Sequence, residues 1–223
     1  MNWVKESYAR SKNIRNHYKL HEIDIFIKDS LPEYINADEV FSSITKHIPS
    51  HLLSGIDIIY VGDFKSFKEK QINAIYEDGA IYVTNEQDSD RDLIDDIIHE
   101  IAHSIEENYT ELIYEDGLLK REFLGKRERL FWILQSNDYK PVDSIKTSYI
   151  YDENIDLYFY KEVGYENMWH LVTGLFPSPY SATSLREYFA IGFEEYYIGD
   201  RTFLKNNCPI LFSKLKQLDF LED

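Results

Sequence analysis

Several things are scarce in this sequence of 223 residues, and each scarcity narrows what the chain does. Cys208 is its one cysteine, so no intrachain disulfide is available and nothing requires an oxidising compartment. Positive charge is short: 24 lysines and arginines face 40 carboxylates, a net charge of −16. Such a chain repels nucleic-acid backbones and anionic lipid, so neither is expected as a partner. The charge permits a basic peptide or protein as partner, and solubility alone accounts for it equally well. No apolar run approaches the length of a membrane span, and the opening MNWVKESYARSKN has no apolar stretch after its charges. A cytoplasmic location is therefore expected, with non-classical secretion equally compatible. With 9 glycines and 6 prolines spread along the chain, there is no repeat or flexible linker to mark a domain boundary.

What is abundant is apolar and aromatic: 43% hydrophobic residues and 15% aromatic, enough to build a core. The most ordered pattern runs from Asp90 to Glu107, DRDLIDDIIHEIAHSIEE. At 3.6 residues per turn, Leu93, Ile94, Ile97, Ile98, Ile101, Ala102 and Ile105 share one stripe, and His99 and His103 project from the other side. Two imidazoles one turn apart can bind one zinc ion, and Glu100 beside them can polarise a bound water. The competing reading is a solvated polar face, since Asp92, Asp96, Glu106 and Glu107 lie on the same side. Between Glu86 and Asp116 stand twelve carboxylates and one arginine. A catalytic zinc needs a third protein ligand, and Glu107, about 12 Å along the helix axis from His99, lies too far away. Another element must supply it.

Before this helix, Leu31 to Ile48 reads as a helix with Pro32 in its first turn and Ile35, Val40, Phe41, Ile44 and Ile48 inward. Ile56 to Phe64 reads as a buried strand, and Asn73 to Val83 as a hairpin turning at Asp78-Gly79. Ala80 to Val83 is a candidate for either a free sheet edge or a covered strand. Strands leading into the histidine helix predict an α+β domain with that helix on a sheet. After Tyr109 the motifs thin out. Lys120 to Gln135 predicts a helix with a basic face, and Tyr149 to Tyr165 is rich in tyrosine, suited to core packing or to a peptide subsite.

The next informative stretch is Pro179 to Tyr197, PYSATSLREYFAIGFEEYY. Leu185, Phe189, Phe193 and Tyr196 share a helical stripe, and Glu187 lies on another side with Ala190, Ile191 and Ile198. A carboxylate on a partly apolar face needs a partner, which a metal would be. Ser184 and Glu187 also have the spacing of a helix capping box, and both roles remain open at this level.

The pattern His99-Glu100-x-x-His103, then Tyr180 seven residues ahead of Glu187-Tyr188-Phe189-Ala190-x-x-Phe193, resembles the catalytic domain of the anthrax lethal factor-like metallopeptidases, which include Pro-Pro endopeptidases. Leu204, Lys205, Pro209 and Phe212 extend the resemblance weakly. It implies a single zincin-like domain over residues 1–223: sheet and active-site helix in 31–107, an insertion in 109–179, and the third-ligand and C-terminal helices in 180–223. It further implies a gluzincin-type zinc endopeptidase in which His99, His103 and Glu187 bind one zinc ion, Glu100 is the general base and Tyr180 stabilises the oxyanion. Ile191 departs from the pattern, because many gluzincins carry there an acidic residue that orients a zinc histidine; Glu194, Glu195 or another segment would have to serve. The insertion is the expected seat of substrate selectivity. Two other readings compete: a catalytically silent zincin that regulates, and an acidic module that binds a basic protein. The residues leave oligomeric state and cleavage preference open.

Overall fold

The structure, a computed structural model, describes residues 17–221. It is α+β, with a small mixed sheet of five strands and a mostly helical C-terminal half. By internal contact the chain divides into two compact units, 1–105 and 106–223. No helix among the described residues is long and apolar enough to cross a membrane.

The first unit is built on strands β1 (His17–Leu20), β2 (Ile23–Ile27), β3 (Ile58–Gly62), β4 (Ala74–Glu77) and β5 (Ala80–Thr84), in the order β1-β2-β3-β5-β4. The outer pairs are antiparallel and the inner pairs parallel. Register explains the two faces: Ile25, Ile59 and Ile81 align on one and are fully buried. On the other, Phe26, Tyr60 and Tyr82 align and stack, with ring centroids 6.1 and 5.4 Å apart. The hairpin turns where Asp78 and Gly79 both adopt positive φ, 48° and 81°, as a tight two-residue turn requires. A substituent on Gly79 would also stand 2.8 Å from the Asp57 carboxylate.

Of the two placements open for Ala80 to Val83, the structure gives the covered one: β5 pairs with β3 and β4, and β4 is the edge strand on that side. One sequence expectation is corrected in this unit. Helix α1 spans Ala37–His47 and leaves Pro32 outside it. The helix begins where Asn36 accepts from the Glu39 N–H through its side chain, while its own N–H is held by Asp90 at 2.8 Å. That side-chain cap outweighs the preference of proline for a first turn. Helix α2 (Lys65–Lys70) follows β3, and α3 (Asp90–Asn108) follows β5.

In the second unit, α4 (Thr110–Tyr114), α5 (Leu118–Ser136), α6 (Ser144–Thr147), α7 (Glu153–Leu157), α8 (Tyr165–Val172), α9 (Leu185–Tyr197), α10 (Arg201–Asn207) and α11 (Pro209–Asp219) follow in order. A π turn, Tyr158–Val163, extends α7. Phe123, Phe159, Phe176, Tyr188, Phe189 and Phe193 supply a largely aromatic core. Gly192 lets α9 approach α11, since a Cβ there would fall 2.3 Å from Leu211.

The basic face expected on α5 is partly an interior one, for Lys126 and Arg127 are buried. The Lys126 ammonium donates to the carbonyls of Leu175 and Asn207, each at 2.6 Å. Lys214 is buried too, donating to the Leu112 carbonyl at 2.6 Å and to Asp116 at 2.7 Å. Glu122 accepts from the Tyr188 hydroxyl and from the N–H groups of Ile210 and Leu211. It thereby caps α11, which has Pro209 in its first turn.

Candidate functional site

Helix α3 begins at Ser89, whose hydroxyl oxygen accepts from the Asp92 N–H and donates back to the Asp92 carboxylate. Asp90 and Asp92 in the first turn complement the helix dipole, and no glycine or proline interrupts the run. Leu93, Ile97, Ile98, Ile101, Ala102 and Ile105 are fully buried, with Ile94 partly so. The predicted stripe is therefore the packed face. It turns His99 and His103 to the same side one turn apart, their rings meeting edge to face with centroids at 4.8 Å.

Glu100 and His103 are, among the described residues, the ionisable side chains that the first unit buries, at 7% and 9% exposure. Glu100 accepts the Tyr76 N–H at 2.7 Å, a group on the outward side of edge strand β4. The sheet thus sets the orientation of its carboxylate. Asp96, one turn earlier, lies on the side that the solvated-face alternative gives to water, but it is half-buried, accepts from the Gln87 amide at 2.9 Å, and is pushed up to about 6 by desolvation. The Gln87 hydrogen bond and the charge of His99 act in the opposite direction.

Tyr180 opens a 3₁₀ turn, Tyr180–Ala182, that leads into α9. Burial raises its hydroxyl far above the usual phenol range, and the negative charge of Glu187 adds to this. It remains a donor at any ordinary pH. Ser184 caps α9, accepting the Glu187 N–H at 3.2 Å, so the cap expected from the S-x-x-E spacing is present. The Glu187 carboxylate is half-buried, and its charge also raises the hydroxyls of Tyr114, Tyr151 and Tyr165.

The turn is held from behind by Arg127, which is fully buried. Its Nε donates to the Ile145 carbonyl at 2.8 Å, and its Nη1 to the carbonyls of Ala182 and Thr183 at 2.6 and 3.0 Å. Burial lowers the guanidinium to about 10. Next to Glu187, Arg186 donates to Glu106 at 3.2 Å, and Glu106 also accepts from the Tyr114 hydroxyl. Glu106 is buried, which counts against the solvated-face alternative for this side of α3. Glu107 is exposed.

Of the carboxylates considered in place of an acidic residue at 191, Glu195 is otherwise engaged, accepting the Asp200 N–H at 2.6 Å. Asp96 is a carboxylate whose charge interacts with His99. Its position three residues before His99 was visible in the sequence, whereas nothing in the spacing pointed to Arg127 or to the pairing of Glu106 with Arg186. His99, His103 and Glu187 offer one ligand atom each, two imidazole nitrogens and a carboxylate oxygen. That donor set suits zinc with a position left for water. No protein-family profile, no curated protein and no solved structure matches the chain.

Proposed function

We propose that the protein is a zinc-dependent endopeptidase of the zincin type, similar to the lethal factor-like metallopeptidases, with one zinc ion held by His99, His103 and Glu187. The observation that carries this reading is selective burial. The first unit packs aliphatic side chains almost throughout, yet buries Glu100 and His103 of a single H-E-x-x-H turn. Ionisable groups are rarely withdrawn from water without a task that repays the cost. Continuity of α3 supports the choice of Glu187: one turn beyond His103 the same helix carries Glu106, which binds Arg186, the residue before Glu187.

Bound zinc supplies Lewis acidity toward a scissile carbonyl and lowers the pKa of water. The chain's own residues do the rest. Glu100, oriented by the Tyr76 N–H, accepts the proton of the attacking water and returns it to the leaving amine. Tyr180, a phenol protonated at ordinary pH, donates a hydrogen bond to the oxygen on which negative charge develops. Ser184 and Arg127 hold the turn and helix start that present Tyr180 and Glu187.

Zinc analysis of the untagged protein tests the reading. Near-stoichiometric zinc is expected in the wild type, reduced in His99→Ala and Glu187→Ala at equal folding by circular dichroism. Glu100→Gln should keep its zinc and lose peptide cleavage by ~10²–10⁴-fold. Wild-type protein without zinc, even after zinc is added back, overturns the proposal and favours an acidic protein-binding module.

A further inference from the structure

We propose that Tyr151, Tyr165 and Asp156 form a subsite for a lysine or arginine side chain of the peptide, an inference that rests on the peptidase reading above. The Asp156 carboxylate receives both phenols, the Tyr151 hydroxyl on one oxygen and the Tyr165 hydroxyl on the other, each at 2.9 Å. With their hydroxyls engaged, the two rings are held in place and present mainly their faces. Tyr151 is nonetheless 52% exposed, and Tyr160, whose ring lies 5.9 Å from that of Tyr165, is 60% exposed. These exposed faces are open to a side chain from outside.

The subsite adjoins the start of α9. The Leu185 N–H donates to the Tyr149 carbonyl at 2.8 Å, tying the tyrosine-rich segment to the first residue of the helix that carries Glu187. A side chain lying on these rings would belong to a peptide that runs past the start of that helix.

Charge selects the occupant. From Tyr149 to Asn167 there are five carboxylates and one lysine, so an anionic or phosphorylated side chain is repelled. The face of an aromatic ring is negative and attracts a cation, and Asp156 retains lone pairs for an ammonium or guanidinium. The same segment already holds one cation in this manner, the Lys120 ammonium 3.5 Å above the ring of Tyr149.

The test is binding of rhodamine-labelled octapeptides to zinc-loaded Glu100→Gln protein, which cannot turn them over. The peptides are identical except that each position in turn carries lysine, arginine, norleucine or glutamate. Lysine or arginine should bind about three- to thirtyfold tighter than norleucine at one position. Tyr151→Leu and Asp156→Asn, both at accessible sites, should each bring that ratio close to one and leave norleucine peptides, zinc content and melting temperature unchanged. Equal binding of lysine and norleucine at every position, no binding at all, or a preference that survives both substitutions overturns the subsite. If the cationic preference depends on Tyr151 but the wild type holds no zinc and cleaves nothing, the subsite stands and the peptidase reading falls. Cleavage with zinc and without the preference gives the reverse result.

Discussion

The two units bury different chemistry. The first is an aliphatic interior, Ile25, Ile59, Val61, Ile81, Val83, Leu93, Ile97 and Ile98, interrupted by ionisable side chains only at Glu100 and His103 among the described residues. The second buries Glu106, Lys126, Arg127 and Lys214 amid aromatic rings, at places spread over α3, α5 and α11. There the cations are satisfied mostly by main-chain carbonyls: Leu175 and Asn207 for Lys126, Ile145, Ala182 and Thr183 for Arg127, and Leu112 for Lys214. Long basic side chains bridge short, irregular segments that have no regular backbone pairing of their own. Burial of charge is thus a structural device in the second unit, and in the first it singles out the histidine turn.

The comparison breaks first at Arg127. Arg127→Ala leaves three buried carbonyls unpaired and a cavity besides, and is expected to cost roughly 5 kcal/mol in a urea titration. In the first unit the equivalent loss comes from volume alone: Ile98→Ala should cost about 3–4 kcal/mol with no dependence on pH. A smaller loss for Arg127→Ala than for Ile98→Ala would show that the buried cations of the second unit are incidental to its stability.

Asp96 sharpens the contrast, because it is a half-buried carboxyl, one turn before the buried Glu100, that desolvation pushes up to about 6. Its folded pKa is raised above the model-peptide value of 3.8. The protonated form is therefore favoured by folding, and the associated stability is full below about pH 4 and lost as pH rises through about 6. In metal-free protein, Asp96→Asn should be about 1–2 kcal/mol more stable than the wild type at pH 8, with the advantage vanishing near pH 4. Denaturation curves at the two pH values read this directly, and a constant difference would place the effect elsewhere. The smallest effect belongs to the exposed pair of Arg91 and Asp95, one turn apart on α3 at 2.8 Å. Arg91→Ala should change stability by at most about 0.5 kcal/mol, shrinking further in 1 M salt.

Legibility followed the same division. In the first unit the hairpin at Asp78-Gly79 and the α3 stripe from Leu93 to Ile105 were readable, since turn chemistry and helical periodicity are local properties. The start of α1 was not, because Pro32 and Asn36 both signal a helix start and the bond from Asn36 to Asp90 is remote in sequence. In the second unit α5 was readable as a helix, but its basic face was not readable as interior. Nothing about the spacing of Lys126 and Arg127 distinguishes them from solvated lysines and arginines.

Local sequence alone determined that His99 and His103 stand one turn apart with Glu100 between them, and that Ser184 caps the helix bearing Glu187. Those relations are set by 3.6 residues per turn and by which side chains reach a neighbouring N–H. Tertiary structure alone decided that β4 forms a sheet edge and offers its Tyr76 N–H to Glu100, that Asp96 is hydrogen-bonded by Gln87, and that Arg127 reaches the carbonyls behind Tyr180. The partners in each of those contacts are remote in sequence or are main-chain groups that every residue carries alike, and only the folded chain selects among them.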